Sequence, residues 1–155
     1  MLEPGDRVGD LQFSDSEAVV CCLNDFRDRS AIVFFFYPKD FSPGCTKEAC
    51  TFRDYHREIQ DLGAEVFGVS TDTAEKHAEF KERHKLPYRL VPDTDGALSK
   101  VFGTGRLGGW LGNKRVTFIV APDGTVIDRY QSELSMAGHV EHVIEILEQL
   151  KENRK

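Results

Sequence analysis

Two cysteines, Cys45 and Cys50, follow a run of apolar residues that ends at Pro38. Ser42 and Pro43 stand directly before the first of them, and Ser is a preferred N-cap residue while Pro is favoured at the first helical position. This spacing predicts that a helix begins at Pro43, with Cys45 in its first turn. Unpaired backbone N–H groups and the positive end of the helix dipole favour a thiolate there. Cys45 is therefore a candidate nucleophile.

The side chain of Ser42 is expected to cap this helix by accepting a hydrogen bond from the N–H of Cys45, the third helical residue. Apolar and aromatic residues then recur at helical spacing on the same face as Cys45, namely Ala49, Phe52, His56 and Ile59. This pattern predicts that Cys45 lies at the edge of the buried face, in a partly enclosed pocket. The alternative is a small buried hydrophobic residue, as most free cysteines are.

Cys50 lies five residues beyond Cys45, which on a helix means about 140° of rotation and a Cα–Cα distance of about 8.5–9 Å. A disulfide needs about 4.4–6.8 Å between the Cα atoms. The two thiols can therefore join only if the first turn or two of the helix unwind. Cys50 is predicted on the polar flank, beside Arg53, and either a structural or a reactive role is open for it. The spacing is not that of a usual zinc pair, so no metal is expected.

The elements that position these thiols follow from the hydrophobic pattern. A hairpin is predicted near the N-terminus from residues 11–13 and 19–23, and a buried strand at 31–37 precedes the cysteine helix. Further strands are predicted at 65–70, 88–91, 116–120 and 126–130, and helices at 73–84, 97–102 and from Ser135 or Ala137 onward. The order βαβαβ, then a hairpin and a helix, predicts an α/β fold with a central mixed sheet and helices on both faces, consistent with a thioredoxin-like core.

Composition narrows the classes of function. The chain has 155 residues, 40% hydrophobic and 30% charged, which predicts a single domain over 1–155. The net charge of −6 argues against a nucleic-acid partner. The longest apolar run, from Ala31 to Tyr37, is too short to cross a bilayer, so no membrane partner is expected. The four cysteines do not show the spacing of a disulfide-rich secreted protein, and no signal peptide is visible. We therefore expect a reducing, cytoplasmic setting.

The residues around Cys45 resemble the peroxiredoxins, and within them the peroxiredoxin Q or bacterioferritin comigratory protein group. The family motif Pro-x-x-x-Thr/Ser-x-x-Cys is matched by Pro38, Ser42 and Cys45. From Tyr37 to Cys50 the chain matches the group's Tyr-Pro-Lys-Asp…Pro-Gly-Cys-Thr-x-Glu-Ala-Cys stretch almost residue for residue. The resemblance covers essentially the whole chain, with further matches at 52–54, 68–70, 93–96 and 115–120.

This resemblance implies a thiol-dependent peroxidase that reduces hydrogen peroxide and organic hydroperoxides without a cofactor. Cys45 would be the peroxidatic cysteine and Cys50 the resolving cysteine of an intramolecular disulfide, with a thioredoxin-like dithiol as reductant and a monomer or weak homodimer as the assembly. Arg115 would be the active-site arginine, Ser42 the hydroxyl that contacts the peroxide, and Pro38 the residue that shields the pocket. Ser42 departs from the commoner Thr, so its hydroxyl is kept and the methyl is lost.

Two other functions fit parts of the pattern. A thioredoxin-fold disulfide oxidoreductase would need Cys-x-x-Cys on the helix, which the chain lacks, and a redox-regulated binding protein would use the unwinding helix as a switch. Cys21 and Cys22 point to opposite faces of a strand, one of them in the core, and a resolving role for either stays open. The remaining polar candidates are interpreted as surface or unassigned residues: Lys39, Asp40, His139 and His142 as surface, and His56, His77 and His84 without a role. Trp110 is predicted in a Gly-rich mobile loop.

Overall fold

A computed structural model of the chain describes residues 1–106 and 112–153. The predicted loop around Trp110 lies outside this part. Along the chain run β1 (Gln12–Ser14), β2 (Val20–Cys22), a 3-10 turn (Leu23–Phe26), β3 (Ala31–Phe36), α1 (Pro43–Asp54), α2 (His56–Asp61), β4 (Ala64–Ser70), α3 (Ala74–His84), β5 (Arg89–Pro92), α4 (Ala97–Phe102), β6 (Val116–Val120), β7 (Val126–Gln131) and α5 (Met136–Glu152).

The centre of the molecule is a five-stranded sheet in the order β5-β4-β3-β6-β7. β3 is parallel to β4 and antiparallel to β6, while β4 and β5 are parallel and β6 and β7 antiparallel. Every residue of β3 is fully buried, as its continuous apolar sequence predicts for a central strand. β1 and β2 form a separate antiparallel pair. The predicted mixed sheet and N-terminal hairpin are therefore confirmed.

Alternate side chains of β3 enter two cores, because successive residues of a strand point to opposite faces. Val33 and Phe35 point toward residues of α1, α2, α3 and α5, whereas Phe34 and Phe36 point toward the hairpin, the 3-10 turn and α4. The predicted helices on both faces are thus confirmed. In the described residues no helix is long and apolar enough to cross a membrane.

The cysteine helix is shorter than its hydrophobic pattern predicts. α1 ends at Asp54 and α2 begins at His56, with Tyr55 between them at φ −106° and ψ 7°. The face predicted from the sequence is nevertheless buried throughout, at Cys45, Ala49, Phe52, His56 and Ile59. The break at Tyr55 leaves the buried stripe continuous across both helices.

Gly68, in the middle of β4, lies where side chains of the neighbouring strands pack close to its backbone. A Cβ atom at this position would lie 2.8 Å from a side-chain carbon of Leu90 and 2.8 Å from a ring carbon of Phe35. We expect the Gly68→Ala substitution to lower the free energy of unfolding by about 1–3 kcal/mol, because both neighbours would have to leave their packed positions. Urea denaturation measures this change.

Glu65→Ala, in the same strand, is the matched control. Its carboxylate pairs with the half-exposed Arg29 at 3.3 Å, and we expect its loss to cost at most about 1 kcal/mol. If Gly68→Ala unfolded at the same urea concentration as the native protein, the close packing at this position would be contradicted.

Candidate functional site

Cys45 lies in the first turn of α1, as predicted, and only 1% of its surface is exposed. Pro43 occupies the first helical position and Ser42 the N-cap position. Arg115, which directly precedes β6, is 6% exposed and places its Nη1 atom 3.4 Å from the Cys45 Sγ. The structure thus brings together a buried thiol, a helix N-terminus and a guanidinium group.

The first turn of α1 is shaped for the close approach of this guanidinium. A Cβ atom at Gly44 would lie 3.2 Å from the Nη2 atom of Arg115 and 3.6 Å from the Cε atom of Met136. Further along α1, Phe52 stacks on Phe35 of the central strand, with ring centroids 4.4 Å apart and an interplanar angle of 11°. The sheet therefore fixes the helix, and the helix in turn places the thiol beside Arg115.

Glu48 is a second partner of the same guanidinium. It is fully buried one turn beyond Cys45, and its Oε1 atom accepts a hydrogen bond from Nη1 of Arg115 at 3.1 Å. Burial raises the pKa of Glu48 to about 8, against the opposing effect of Arg115. For Arg115, burial disfavours the charge, but Glu48 and Cys45 outweigh it and raise the pKa of the guanidinium. One buried nitrogen atom thus serves two groups that can each carry a negative charge.

Glu133, in the turn between β7 and α5, holds Arg115 from the other side. Its Oε1 atom accepts from the backbone N–H of Arg115 at 3.0 Å, and its Oε2 atom lies 3.8 Å from the Arg115 Nε. Arg106 donates to the same carboxylate. Partial burial opposes ionisation, yet these hydrogen bonds and charges lower the pKa of Glu133. Glu133 therefore stays an anion and fixes the position of the arginine.

His139 was expected on the surface, and that expectation is wrong. The ring is fully buried, with its Nδ1 atom 2.8 Å from the Thr117 hydroxyl and its Nε2 atom 2.8 Å from the carbonyl oxygen of Ser132. Since a carbonyl only accepts, Nε2 carries the proton and Nδ1 accepts from Thr117. Burial lowers the pKa of His139 to about 4, so the ring is neutral. Its Nε2 lies 3.5 Å from the Glu48 Oε2 and brings no positive charge to it.

The loop that leads into α1 carries the two remaining predicted site residues, Pro38 and Ser42. The predicted cap is wrong in one respect, since the Ser42 side chain does not cap the helix. Its hydroxyl donates to the carbonyl oxygen of the exposed Lys39 at 2.9 Å, while the Ser42 carbonyl accepts from the N–H of Thr46. Pro38 is half-buried. Both residues lie on the loop that enters α1 at the buried thiol.

Asp40, a residue of this loop, forms a buried pair with His77 of α3. Asp40 was expected on the surface, and His77 was not assigned a role. The Asp40 Oδ2 lies 2.7 Å from the His77 Nδ1, and Tyr37 donates to the Asp40 Oδ1 at 2.5 Å. The Nε2 of His77 contacts the carbonyl oxygen of Val91 at 3.1 Å, so Nε2 carries a proton. A second proton must then lie between Nδ1 and Oδ2, because otherwise two acceptors would face each other.

Together with Asp72, these two residues form the one group in the described parts of the chain whose ligand atoms could surround a metal ion. The Asp72 Oδ2 already accepts from the N–H of Asp40 and the hydroxyl of Ser70, each at 2.7 Å, and its Oδ1 pairs with Lys76 at 3.3 Å. Hydrogen bonds thus satisfy the carboxylate without a metal. The cluster fixes the loop before α1.

Cys50 lies apart from the Cys45 pocket. It is half-buried, and it interacts electrostatically with Arg53 and Tyr88. All four cysteines are free thiols in this folded state. Cys21 is buried in the core and Cys22 half-buried, and desolvation raises the pKa of the Cys21 thiol despite a contact with Arg89 at 3.2 Å. Cys22 occupies the N-cap position of the 3-10 turn, where desolvation and the neighbouring Asp25 raise the pKa of its thiol.

Sequence reasoning missed three residues of this site, namely Glu48, Glu133 and His139. The first carried a signal, since its spacing of three from Cys45 places both on one side of a helix. The other two reach the site from the turn after β7 and from α5, and a single sequence gives no local pattern for such contacts. Cys45 and Arg115 are brought into contact, while Cys50 is not.

Comparisons with known proteins agree with this geometry. Residues 4–129 match the AhpC/TSA family. Peroxiredoxin Bcp of Bacillus subtilis (strain 168) is 35% identical, in an alignment that covers 97% of this chain and 98% of that protein. The chloroplastic peroxiredoxin Q of Oryza sativa subsp. japonica is 34% identical, over 96% of this chain and 68% of that protein.

Solved structures show the same relationship. Peroxidoxin BcpB from Mycobacterium tuberculosis superimposes with a TM-score of 0.89 at 36% identity, covering 96% of this chain and 98% of that one. Xanthomonas campestris peroxiredoxin Q superimposes with a TM-score of 0.81 at 30% identity, over 92% and 97% of the two chains. The thioredoxin-like fold and the family predicted from the cysteine segment are both confirmed. The chain belongs to the AhpC/TSA peroxiredoxins and, within them, to the Bcp/PrxQ group, and it is a thiol peroxidase.

Proposed function

We propose that Cys45 is the peroxidatic cysteine and that Arg115 activates it. The observation that carries this proposal is the buried Cys45 Sγ at the N-terminus of α1, 3.4 Å from the Nη1 atom of Arg115. A guanidinium at this distance and the helix dipole both favour the thiolate over the thiol. Pro38 and Ser42 lie on the loop that leads into this turn; Pro38 is proposed to shield the pocket and the Ser42 hydroxyl to contact the peroxide.

The reaction begins when the thiolate of Cys45 attacks one oxygen of a hydroperoxide. The S–O bond forms as the O–O bond breaks, and the leaving hydroxide or alkoxide takes up a proton to become water or an alcohol. Cys45 becomes a sulfenic acid. Negative charge spreads over both oxygens in the transition state, and the donors of Arg115 and the backbone N–H groups of the first turn stabilise it without reorganising.

Glu48 supplies the charge balance for this step. Because its pKa is raised to about 8, it is largely protonated at neutral pH, and Arg115 then has the Cys45 thiolate as its anionic partner within α1. When the sulfur loses its charge on oxidation, Glu48 releases its proton, which balances the proton taken up by the leaving group, and its carboxylate becomes the partner at 3.1 Å. Arg115 thus keeps an anionic partner on α1 both before and after oxidation, in addition to the carboxylate of Glu133.

Cys50 is proposed as the resolving cysteine. Its thiol attacks the sulfenic sulfur of Cys45, a disulfide forms, and water leaves. A dithiol of the thioredoxin class then reduces this disulfide by thiol–disulfide exchange and is itself oxidised. Support comes from the position of Cys50 on the same helix as Cys45 and from its partial exposure, which lets it reach the pocket once the intervening turns unwind.

Both hydrogen peroxide and organic hydroperoxides are proposed as substrates. One solved relative, the bacterioferritin comigratory protein of Xanthomonas campestris, is described as having alkyl peroxide reduction activity, with 30% identity and a TM-score of 0.78 to this chain. We further propose that residues 1–155 act as one domain, as a monomer or weak homodimer, in the cytoplasm. Steady-state assays with hydrogen peroxide and cumene hydroperoxide test the substrate range.

A single-turnover experiment distinguishes the proposed peroxidatic role of Cys45 from the resolving role of Cys50. We expect Cys45→Ser to lose peroxide reduction completely, because the attacking sulfur is gone. Cys50→Ser should still consume one equivalent of peroxide and accumulate Cys45 sulfenic acid, which a dimedone label and mass spectrometry detect. Cys22→Ser, which changes another half-buried thiol, serves as the control and should turn over like the native enzyme. Full turnover by Cys45→Ser would contradict the proposal, and full turnover by Cys50→Ser would contradict the resolving role.

Arg115→Lys tests the guanidinium. A lysine keeps the positive charge but presents a single ammonium group, which cannot occupy the positions of Nη1 and Nη2 at once. We expect the rate constant for Cys45 oxidation to fall roughly 100-fold, the effect of losing one preorganised donor in comparable sites. Stopped-flow mixing with limiting peroxide measures it. Arg129→Lys, at a partly exposed arginine that pairs with Glu3, should react at the native rate. Equal rates for both variants would exclude a specific role for Arg115.

The pH dependence of the same rate constant tests Glu48. Because the thiolate is the reactive form of a cysteine, a higher pH by itself does not lower the rate. Around pH 8, however, Glu48 ionises and competes for Arg115. The native enzyme should therefore pass a maximum and lose rate at higher pH. Glu48→Gln, which carries no charge at any pH, should rise to a plateau. Glu145→Gln, at an exposed position of α5, should keep the native profile. A decline above pH 8 that persists in Glu48→Gln would overturn this role.

A further inference from the structure

The two cysteines of α1 belong to a helix whose ends are held differently. Toward its C-terminus, Phe52 stacks on Phe35, and the Nη1 atom of Arg53 donates to the carbonyl oxygen of His84 at 2.7 Å. Both contacts lie beyond Cys50. Any unwinding that brings Cys50 to Cys45 therefore has to take place between the first turn and Phe52.

Tyr88 makes a contact inside that segment. It directly precedes β5, and its ring is 3% exposed and packs edge-to-face on Phe35, with centroids 5.6 Å apart. Its hydroxyl donates to the backbone carbonyl of Ala49 at 2.5 Å. A side chain that belongs to the sheet is thus bonded to the backbone of α1 immediately before Cys50.

This bond cannot survive the opening of the helix. When Cys50 turns toward Cys45, the Ala49 carbonyl has to leave its position. The Tyr88 hydroxyl then loses its acceptor in a buried setting, which disfavours the open state. Burial also raises the pKa of Tyr88 well above its ordinary value, so the hydroxyl keeps its proton and remains a donor over the working range of pH.

We propose that Tyr88 is a positioning residue for disulfide formation. Its hydrogen bond to the Ala49 carbonyl, called the latch below, holds the turn of α1 that bears Cys50 in place and sets how often that turn opens. This inference rests on the proposed role of Cys50 as the resolving cysteine. The opening segment runs from the N-terminus of α1 to Cys50, and the helix beyond Phe52 stays folded.

The latch affects which of two reactions the oxidised enzyme undergoes. The sulfenic acid of Cys45 either condenses with the Cys50 thiol to give a disulfide and water, or it reacts with a second hydroperoxide to give a sulfinic acid and water or an alcohol. A closed latch keeps Cys45 beside Arg115 and favours the second reaction. An open latch favours the disulfide.

Tyr88→Phe tests the latch before any oxidation takes place, because it removes the hydroxyl and keeps the ring. We expect amide hydrogen exchange at residues 46–50 of the reduced protein to become about twofold to tenfold faster, the range expected for one lost hydrogen bond. Amides of β3 should exchange at the native rate. Tyr55→Phe, at an exposed ring that follows the same helix, is the matched control and should change neither region.

The second measurement is the division of Cys45 between disulfide and sulfinic acid, followed by mass spectrometry after exposure to a series of peroxide concentrations. We expect Tyr88→Phe to need about twofold to tenfold more peroxide than the native enzyme to reach half sulfinic acid. Tyr55→Phe should need the native concentration.

The possible results separate the latch from the proposed resolving role. Native exchange at residues 46–50 in Tyr88→Phe would overturn the latch, and so would faster exchange that extends equally to β3. Faster exchange confined to 46–50, in a protein that forms no Cys45–Cys50 disulfide, would support the latch and overturn the role of Cys50. Faster exchange confined to residues 46–50, together with a higher peroxide concentration for half sulfinic acid, would support both the latch and the resolving role of Cys50.

Discussion

The structure depends on one buried cation. The guanidinium of Arg115 is 6% exposed, and a charge taken out of water is tolerated only when anions and acceptors surround it. Glu133 fixes the guanidinium as a permanent anion at 3.8 Å, and Glu48 and Cys45 share its Nη1 atom at 3.1 and 3.4 Å. His139 stays neutral beside them, because burial lowers its pKa to about 4, so Arg115 carries the positive charge that faces the thiol.

The same helix that holds the thiol against Arg115 must release it if Cys50 is to reach it. The loop before α1 is fixed by the Asp40–His77 pair at 2.7 Å, even though it contains Phe41 in the strained left-handed conformation at φ 65°. Beyond Cys50 the stacking of Phe52 on the sheet fixes the helix again. Between these two anchors lie Gly44 and Thr46, both poor helix formers. Unwinding is thereby limited to a short segment.

What the sequence predicts well here depends on residues close together in the chain. The start of α1, the burial of Cys45, the central strand and the mixed sheet all follow from capping preferences and hydrophobic period, and Arg115 was found through its family motif. The Ser42 hydroxyl was predicted to accept at the helix N-terminus, whereas it donates to the Lys39 carbonyl and makes no capping hydrogen bond. The burial of Asp40 and His139 depends on partners 37 and 22 residues away along the chain, His77 and Thr117, which no local pattern reveals.

One face of the sheet carries most of the aromatic core, and the other carries the buried ionisable groups of the site. The face opposite α1 holds seven of the eleven phenylalanines. Among them, the ring of Phe34 lies 5.6 Å from that of Phe67 and 5.5 Å from that of Phe102, centroid to centroid. The face that carries α1 holds the buried ionisable groups Glu48 and His139. Because the aromatic core makes no use of α1, the helix can open locally while the sheet and its opposite core remain folded. A fold of this kind tolerates a reactive helix that is stable only in part.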